Sequence, residues 1–398
     1  MTEQKSLHEP LFHISKRAAL PWWKAWLIRA AAVLAALVIS SIIIVIVVGE
    51  NPFKIFASLI DGNFGTSYKF WTMLENVALL LCVALAVTPA FKMKFWNIGA
   101  EGQILIGALA ATACIMYLGD SVSEVLLIVF MIAAALIAGI IWAVIPALFK
   151  AFFNTNETLF TLMMNYIAMN LVVLFINIWV TSGSGVLGVL SKGHFPVIAE
   201  NKSLLTVFVV AIVTALMFVY LKYTKHGYEI SVVGDSLNTA KYSGMNVKKI
   251  IIRTLALSGA VCGLVGVLLV GSVHHTLNSS LADGRGFTAI IVSWLAKFNP
   301  LYMILTAFLV VFFQRGANQL ASDFYASRVT EDFGDIIVGI IFFFIIGCEF
   351  FIRYIVKFRK KHKETATASD FLSEGDNVSD GQDNEPAALK DNALKGEK

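Results

Sequence analysis

The strongest constraint on this chain is a succession of apolar runs, each long enough to cross a bilayer. Ala30–Val48 is followed by 72–91, 98–118, 124–149, 158–181, 204–221, 251–272 and 334–352. A hydrocarbon core about 30 Å thick takes about 20 apolar residues of helix. Composition agrees: of 398 residues, 58% are hydrophobic and 15% charged, against about 45–50% and about 25% in soluble domains. The expected fold is all-α, a polytopic membrane protein of about eight to ten transmembrane helices. A net charge of +4 is too small to point to nucleic acid. The expected surroundings are a lipid bilayer.

Before the last run lies a shorter pair, 286–297 and 301–313, split by Lys297-Phe298-Asn299-Pro300. Each arm is shorter than an upright span. The pair is expected as two tilted, thin spans or as a re-entrant hairpin, and it should face inward, because non-helical backbone at membrane depth needs protein or water around it.

Basic residues cluster in short loops. Lys92 and Lys94, Lys150, five lysines within 222–250, and six bases between Arg353 and Lys363 share one side if the N-terminus is cytoplasmic, which is where positive residues accumulate. That topology makes 1–26 a cytoplasmic N-terminal segment and 27–355 the transmembrane domain, with 222–250 as its cytoplasmic loop and both termini inside. Loops 49–70, 182–203 and 314–333 are then external. The first run has 19 residues, longer than the apolar region of a signal peptide, and reads as an uncleaved span. Nine of the 27 acids lie from Glu364 onward, so 356–398 reads as a disordered acidic cytoplasmic tail.

Enzymatic chemistry finds little footing. No G-x-x-x-x-G-K-[ST] or H-E-x-x-H segment occurs, so neither a phosphate loop nor a zinc-binding helix is expected. Cys82, Cys114, Cys262 and Cys348 sit singly inside apolar runs and read as small packing residues. His274 and His275 are adjacent, so they cannot share a helix face as ligands; they read as an interfacial pair. No catalytic residue, metal site or cofactor is expected on this chain.

Polar residues inside the runs carry the functional signal. Asn97-Ile-Gly-Ala-Glu-Gly-Gln103 opens a span with Asn97, Glu101 and Gln103. A buried charge is costly in a membrane and tends to be functional; the alternative is Glu101 complementing a helix N-terminus at the membrane surface. In 157–170, Thr158, Thr161 and Asn165 share one helix face, and with Asn170 they suggest either an aqueous path or interhelical hydrogen bonding. Glu75 and Asn76 make a weaker case. Gly259-x-x-x-Gly263 reads as a packing face. Within 222–250, Leu237–Tyr242 has room for a turn or two of helix that could dock into a partner; a basic loop that merely fixes topology is the other reading.

Four segments in order resemble one branch of bacterial ABC importer permeases, which groups simple-sugar and nucleoside permeases with those for branched-chain amino acids and ribose. They are Asn97–Gln103 with the apolar run after it, Thr158–Ala168, Gly234–Met245, and Gly284–Ile290 followed by Asn299-Pro300. The likeness covers about residues 70–350 and implies an ABC importer permease bundle, nearest to nucleoside permeases. It implies a cytoplasmic ATPase subunit that binds ATP and Mg, a second permease that is usually a different chain, and an extracellular substrate-binding lipoprotein. Gly234, Asp235, Asn238, Ala240, Tyr242 and Gly244 would then belong to the coupling helix that meets the ATPase. Asn97, Glu101, Gln103, Thr161, Asn165 and Asn170 are the candidates for the substrate path. Two departures concern the inner gate: Pro89, Lys92 and Lys94 before Asn97, and a carboxylate at Glu75. Two other functions stay open at this point. One is an ABC permease for simple sugars or riboflavin-like solutes; the other is an ion-coupled secondary transporter using Glu75 or Glu101.

Overall fold

A computed structural model describes residues 12–17, 21–49, 51–180, 187–198, 200–323 and 331–358. The chain divides into Leu20–Ile352 and a smaller unit made of Met1–Ala19 with Arg353–Lys398. In the smaller unit, β1 (Phe12–Lys16) pairs antiparallel with β2 (Tyr354–Phe358), Phe12 opposite Phe358. The segment expected as a disordered tail therefore begins in a strand, and its remainder, 359–398, lies outside the described residues. So do residue 181 of the expected span 158–181 and residues 50, 182–186, 199 and 324–330 of the expected external loops.

The larger unit contains α1 (Trp22–Val48), α2 (Pro52–Phe64), α3 (Ser67–Lys92), α4 (Ala100–Leu118), α5 (Glu124–Phe153), α6 (Glu157–Trp179) and α7 (Ser203–Tyr223). Next come α8 (Lys225–Asp235), α9 (Leu237–Tyr242), α10 (Val247–Leu268) with a π-helical turn at Leu269–His274, α11 (Arg285–Leu295), α12 (Pro300–Asp323) and α13 (Glu331–Arg353). Seven of the described helices are long and apolar enough to cross a membrane: α3 to α7, α10 with its π turn, and α12. The all-α polytopic fold is as expected, and α1 and α13 coincide with the first and last anticipated spans.

Local chemistry sets the boundaries. Thr66, Asn156, Ser236 and Asn246 each accept a hydrogen bond from a first-turn backbone N–H of α3, α6, α9 and α10, as N-capping oxygens do. α5 ends at Asn154 in the left-handed conformation, a stop that Asn tolerates.

α3 is the central post. Every residue from Val77 to Phe91 is buried, so its apolar character all round matches its surroundings. α10 crosses α5 and α4 where small residues let backbones touch. A Cβ on Gly139 would lie 2.2 Å from the Gly259 carbonyl oxygen, and one on Gly107 would lie 2.6 Å from Cα of Gly263. The Gly259-x-x-x-Gly263 face therefore packs against two helices at once.

Two expectations need correction. The loop 49–70 contains α2, which packs along α12 through Ile55 and Leu59. Ser58 is hydrogen-bonded to Asp323, and the Asn63 amide donates to the Phe312 carbonyl at 2.9 Å. The short pair is in fact one short helix and one full-length helix. α12 runs on to Asp323 because Gly316, Ala317, Leu320 and Ala321 form a buried stripe inside a stretch that reads as polar. α11 lies beside α3, from Asn76 (3.0 Å from Arg285) to Thr88 (2.9 Å from Ser293). Beyond it, Lys297 pairs with Glu349, itself 3.1 Å from Arg29. The α11–α12 turn thus reaches the end of the bundle where α1 begins and α13 ends. The pair crosses the bundle instead of folding back. The missing length of α11 is supplied by the turns of 275–284, where Leu277, Leu281 and Ala282 are buried in protein.

Candidate functional site

Two broken helices meet inside the bundle. α3 ends at Lys92, and the chain turns back through Met93–Gly99 before α4 starts. Asn97 is fully buried; its amide donates to Ser258 on α10 (3.2 Å), while its carbonyl oxygen accepts from the Gly99 N–H (3.1 Å) and the Gln103 amide (3.4 Å). α6 holds the same turn from the other side. Thr161 accepts from the Ile98 N–H at 3.2 Å. Asn165 accepts from the Gly102 N–H (2.9 Å) and donates to the Ile98 carbonyl (3.0 Å). Gly102 permits this approach, since a Cβ there would stand 3.0 Å from Cα of Asn165.

Glu101 joins this turn to the second break. It is 3% exposed. One carboxylate oxygen accepts the Gly284 N–H (2.9 Å) and the other the Gly286 N–H (2.8 Å). These are donors that α11 cannot satisfy within itself, and a carboxylate suits the positive end of its dipole. A Cβ on Gly286 would lie 2.5 Å from the Glu101 backbone nitrogen, so that glycine is required for contact. Arg285 points the other way, to the Asn76 side chain at 3.0 Å. α11 is bounded by residues in the left-handed region, Asp283 and Gly284 before it and Lys297 and Phe298 after it. A second polar cluster holds Glu75: Ser203 donates to it at 3.0 Å and Thr206 at 3.4 Å, with Thr206 3.1 Å from Ser272 at the π turn.

The structure therefore brings Asn97, Glu101, Gln103, Thr161 and Asn165 into one buried network. They form a clamp, which is the interhelical alternative to an open path. Asn170 does not join them. Nine residues beyond Thr161, it lies on the opposite, exposed face of α6, donating only to the Tyr166 carbonyl at 2.8 Å. Reading the sequence did not find Ser258, Gly286 or Arg285 as partners. The close glycines flanking Arg285 were the available signal.

At the 222–250 loop, Leu237–Tyr242 forms helix α9. Gly234 and Ala240 face inward: a Cβ on Gly234 would meet the Lys92 carbonyl oxygen at 2.1 Å, and Ala240 packs in the cluster containing Met93 and Phe95. Asp235, Asn238, Tyr242 and Gly244 face outward, with Tyr242 93% exposed. α8 is tied to α10 by Arg253, 2.7 Å from Glu229. That guanidinium holds the Glu229 carboxyl below the usual carboxylate range. Near the opposite end of α10, the rings of His194 and His275 lie 4.2 Å apart. Among the described residues, no three His, Cys, Asp or Glu side chains converge as metal ligands.

Comparison with known proteins places this architecture. No solved structure matches at a significant level. The guanosine ABC transporter permease protein NupP of Bacillus subtilis is 29% identical over 79% of this chain and 92% of its own length. The glucose ABC transporter permease protein TsgB13 of Haloferax volcanii is 28% identical over 86% of the chain and 93% of its own. The nucleoside ABC transporter permease protein NupB of Lactococcus lactis is 24% identical over 75% and 85%. The family described as branched-chain amino acid transport system / permease component matches residues 70–346. That match spans both broken helices, the clamp and α9, so the chain belongs to this family and is an ABC transporter permease, a transport component rather than an enzyme.

Proposed function

We propose that this permease carries nucleosides inward, driven by a separate ATPase that binds ATP and Mg and grips α9 from the cytoplasm. The observation that carries the mechanism is the buried chain of elements that leads from α9 to α11. Ala240 shares a buried cluster with Met93 and Phe95, and the Gly234 backbone just before α9 lies against the Lys92 carbonyl oxygen. Two residues beyond Phe95, Asn97 starts the turn that α6 and α10 hold, and Glu101 on the same turn grips the N-terminus of α11. A push on Tyr242 or Leu237 is transmitted to α11 through backbone and buried side chains, without passing through solvent. Nucleotide binding to the partner then favours one arrangement of α11 over another, the differential stabilisation that alternating access needs.

The cargo reading draws on the two relatives named for guanosine and nucleosides, each matched over most of its length. The glucose relative supports a second reading, a simple sugar. In this proposal a second permease, of different sequence, and an extracellular binding lipoprotein complete the importer. Both termini are cytoplasmic, which puts Lys92, Lys150, the lysines of 222–250 and Lys297 on the positive side.

The test is uptake into proteoliposomes by the complex assembled with its ATPase. ATP-dependent accumulation of nucleosides, absent without ATPase, is the expected result. Accumulation of sugars alone would replace the cargo, and flux by the isolated chain would overturn the mechanism.

A further inference from the structure

α6 carries polar groups on two opposite faces, and only one of them is accounted for. Thr161 and Asn165 face inward to the clamp. On the other side, Met163, Tyr166, Asn170, Val173 and Asn177 are exposed and follow one another at spacings of three and four residues, which keeps them on one line along the helix. Asn170 is residue 14 of the 23 in α6, at mid-span. Its carbonyl oxygen has no partner among the described residues, and neither end of the Asn177 amide has one. Tyr166 is 55% exposed.

The neighbouring helices differ. After Glu124, every exposed residue of α5 is apolar, and so is every exposed residue of α7 before Lys222. Those faces suit lipid. A carboxamide in the middle of a span does not, because hydrocarbon offers it no hydrogen bond. The α6 line must therefore meet water or protein. It contains no charged side chain, but it offers an aromatic ring and two carboxamides, each able to donate and accept. We infer that the outward line Tyr166–Asn170–Asn177 is a solute-contacting wall of the transport path. It suits an uncharged solute with a flat ring and several hydrogen-bonding groups. The inference deepens the importer reading and rests on it.

The experiment uses the full complex in proteoliposomes, with Asn170→Cys in this chain and Ile137→Cys, on the exposed apolar face of α5, as the lipid-facing control. A membrane-impermeant cationic methanethiosulfonate is the probe, and labelling of the unsubstituted chain, with its four native cysteines, is subtracted. Asn170→Cys is expected to label at least tenfold faster than Ile137→Cys. The solute that the wild-type complex accumulates should slow that labelling at least fivefold. Labelling no faster than the control would overturn the inference, and so would labelling that the transported solute leaves unchanged. A second readout is Asn170→Leu. It is expected to raise the KM for uptake at least tenfold while ATPase capture and basal ATP hydrolysis stay at wild-type levels; wild-type uptake would sink the assignment. Failure of the importer reading is separate, since it would show as no ATP-dependent uptake by the wild-type complex.

Discussion

Glu101→Ala removes both hydrogen bonds that hold the N-terminus of α11, 2.9 Å to Gly284 and 2.8 Å to Gly286. Hydrogen bonds to a charged group contribute about 1.5–3 kcal/mol each, so the loss is about 3–6 kcal/mol. An exposed helix cap would cost about 1 kcal/mol, which sets the scale for the opposite outcome. The unit Leu20–Ile352 has 333 residues by that span. At about 2.1 cal/mol/K of unfolding entropy per residue, the loss lowers Tm by about 4–9 °C. Glu101→Gln keeps one acceptor and turns an N–H toward the other donor, so it should lose about half as much. The assay is thermal unfolding of the purified complex, followed by ATPase capture and uptake at a temperature where both variants remain folded. Uptake should fall at least 100-fold for Glu101→Ala, with the ATPase still bound, because α9 does not touch the removed group. A Tm within 1 °C of wild type together with normal transport would refute the clamp.

The glycine contacts make sharper steric tests. Gly286→Ala places a methyl group 2.5 Å from the Glu101 backbone nitrogen and should abolish uptake; retained transport would mean that α11 does not seat there. Gly259→Val would drive its Cβ into the Gly139 carbonyl oxygen, 2.2 Å away, at a cost of about 1–3 kcal/mol or more from overpacking, measurable as a lowered Tm. Tyr242→Ala should leave Tm within 1 °C, since Tyr242 is 93% exposed, yet weaken ATPase capture at least tenfold. Asn165→Leu should cost about 2–4 kcal/mol by orphaning the Gly102 N–H and the Ile98 carbonyl, again read as Tm.

The sequence made the local features legible and hid the long-range ones. The inward face of α6 was visible in the spacing of Thr158, Thr161 and Asn165, the packing face in Gly259 and Gly263, and α9 in the short stretch Leu237–Tyr242. Each depends on residues a few positions apart. The partners of Glu101 lie more than 180 residues away, and no periodicity connects them. α12 beyond Phe313 was hidden for another reason: its buried face is made of Gly316, Ala317, Leu320 and Ala321, small residues among polar ones. The separation of Asn170 from the clamp is legible in the spacing. Nine residues from Thr161 is two and a half helical turns, which by geometry alone puts the two on opposite faces.

α3 explains why motion should concentrate at the breaks. Buried along Val77–Phe91 and close-packed, it resists small deformation and moves as a rod. It touches every part of the mechanism. Glu75 engages Ser203 and Thr206, Asn76 takes Arg285, Thr88 meets Ser293, and the Lys92 carbonyl receives Gly234. α11, by contrast, has 11 residues and two left-handed residues at each end, a geometry in which a few dihedral changes can reorient a helix without unfolding it. Against a rigid post, a short helix with hinges at both ends and a single carboxylate at its N-terminus is the element with the least to break when the bundle changes state. Among the described residues, the side-chain hydrogen bonds that tie α11 and its N-cap to other elements are five, two on Glu101 and one each through Asn76, Thr88 and Thr306, and that small number makes switching between two arrangements compatible with a stable membrane fold.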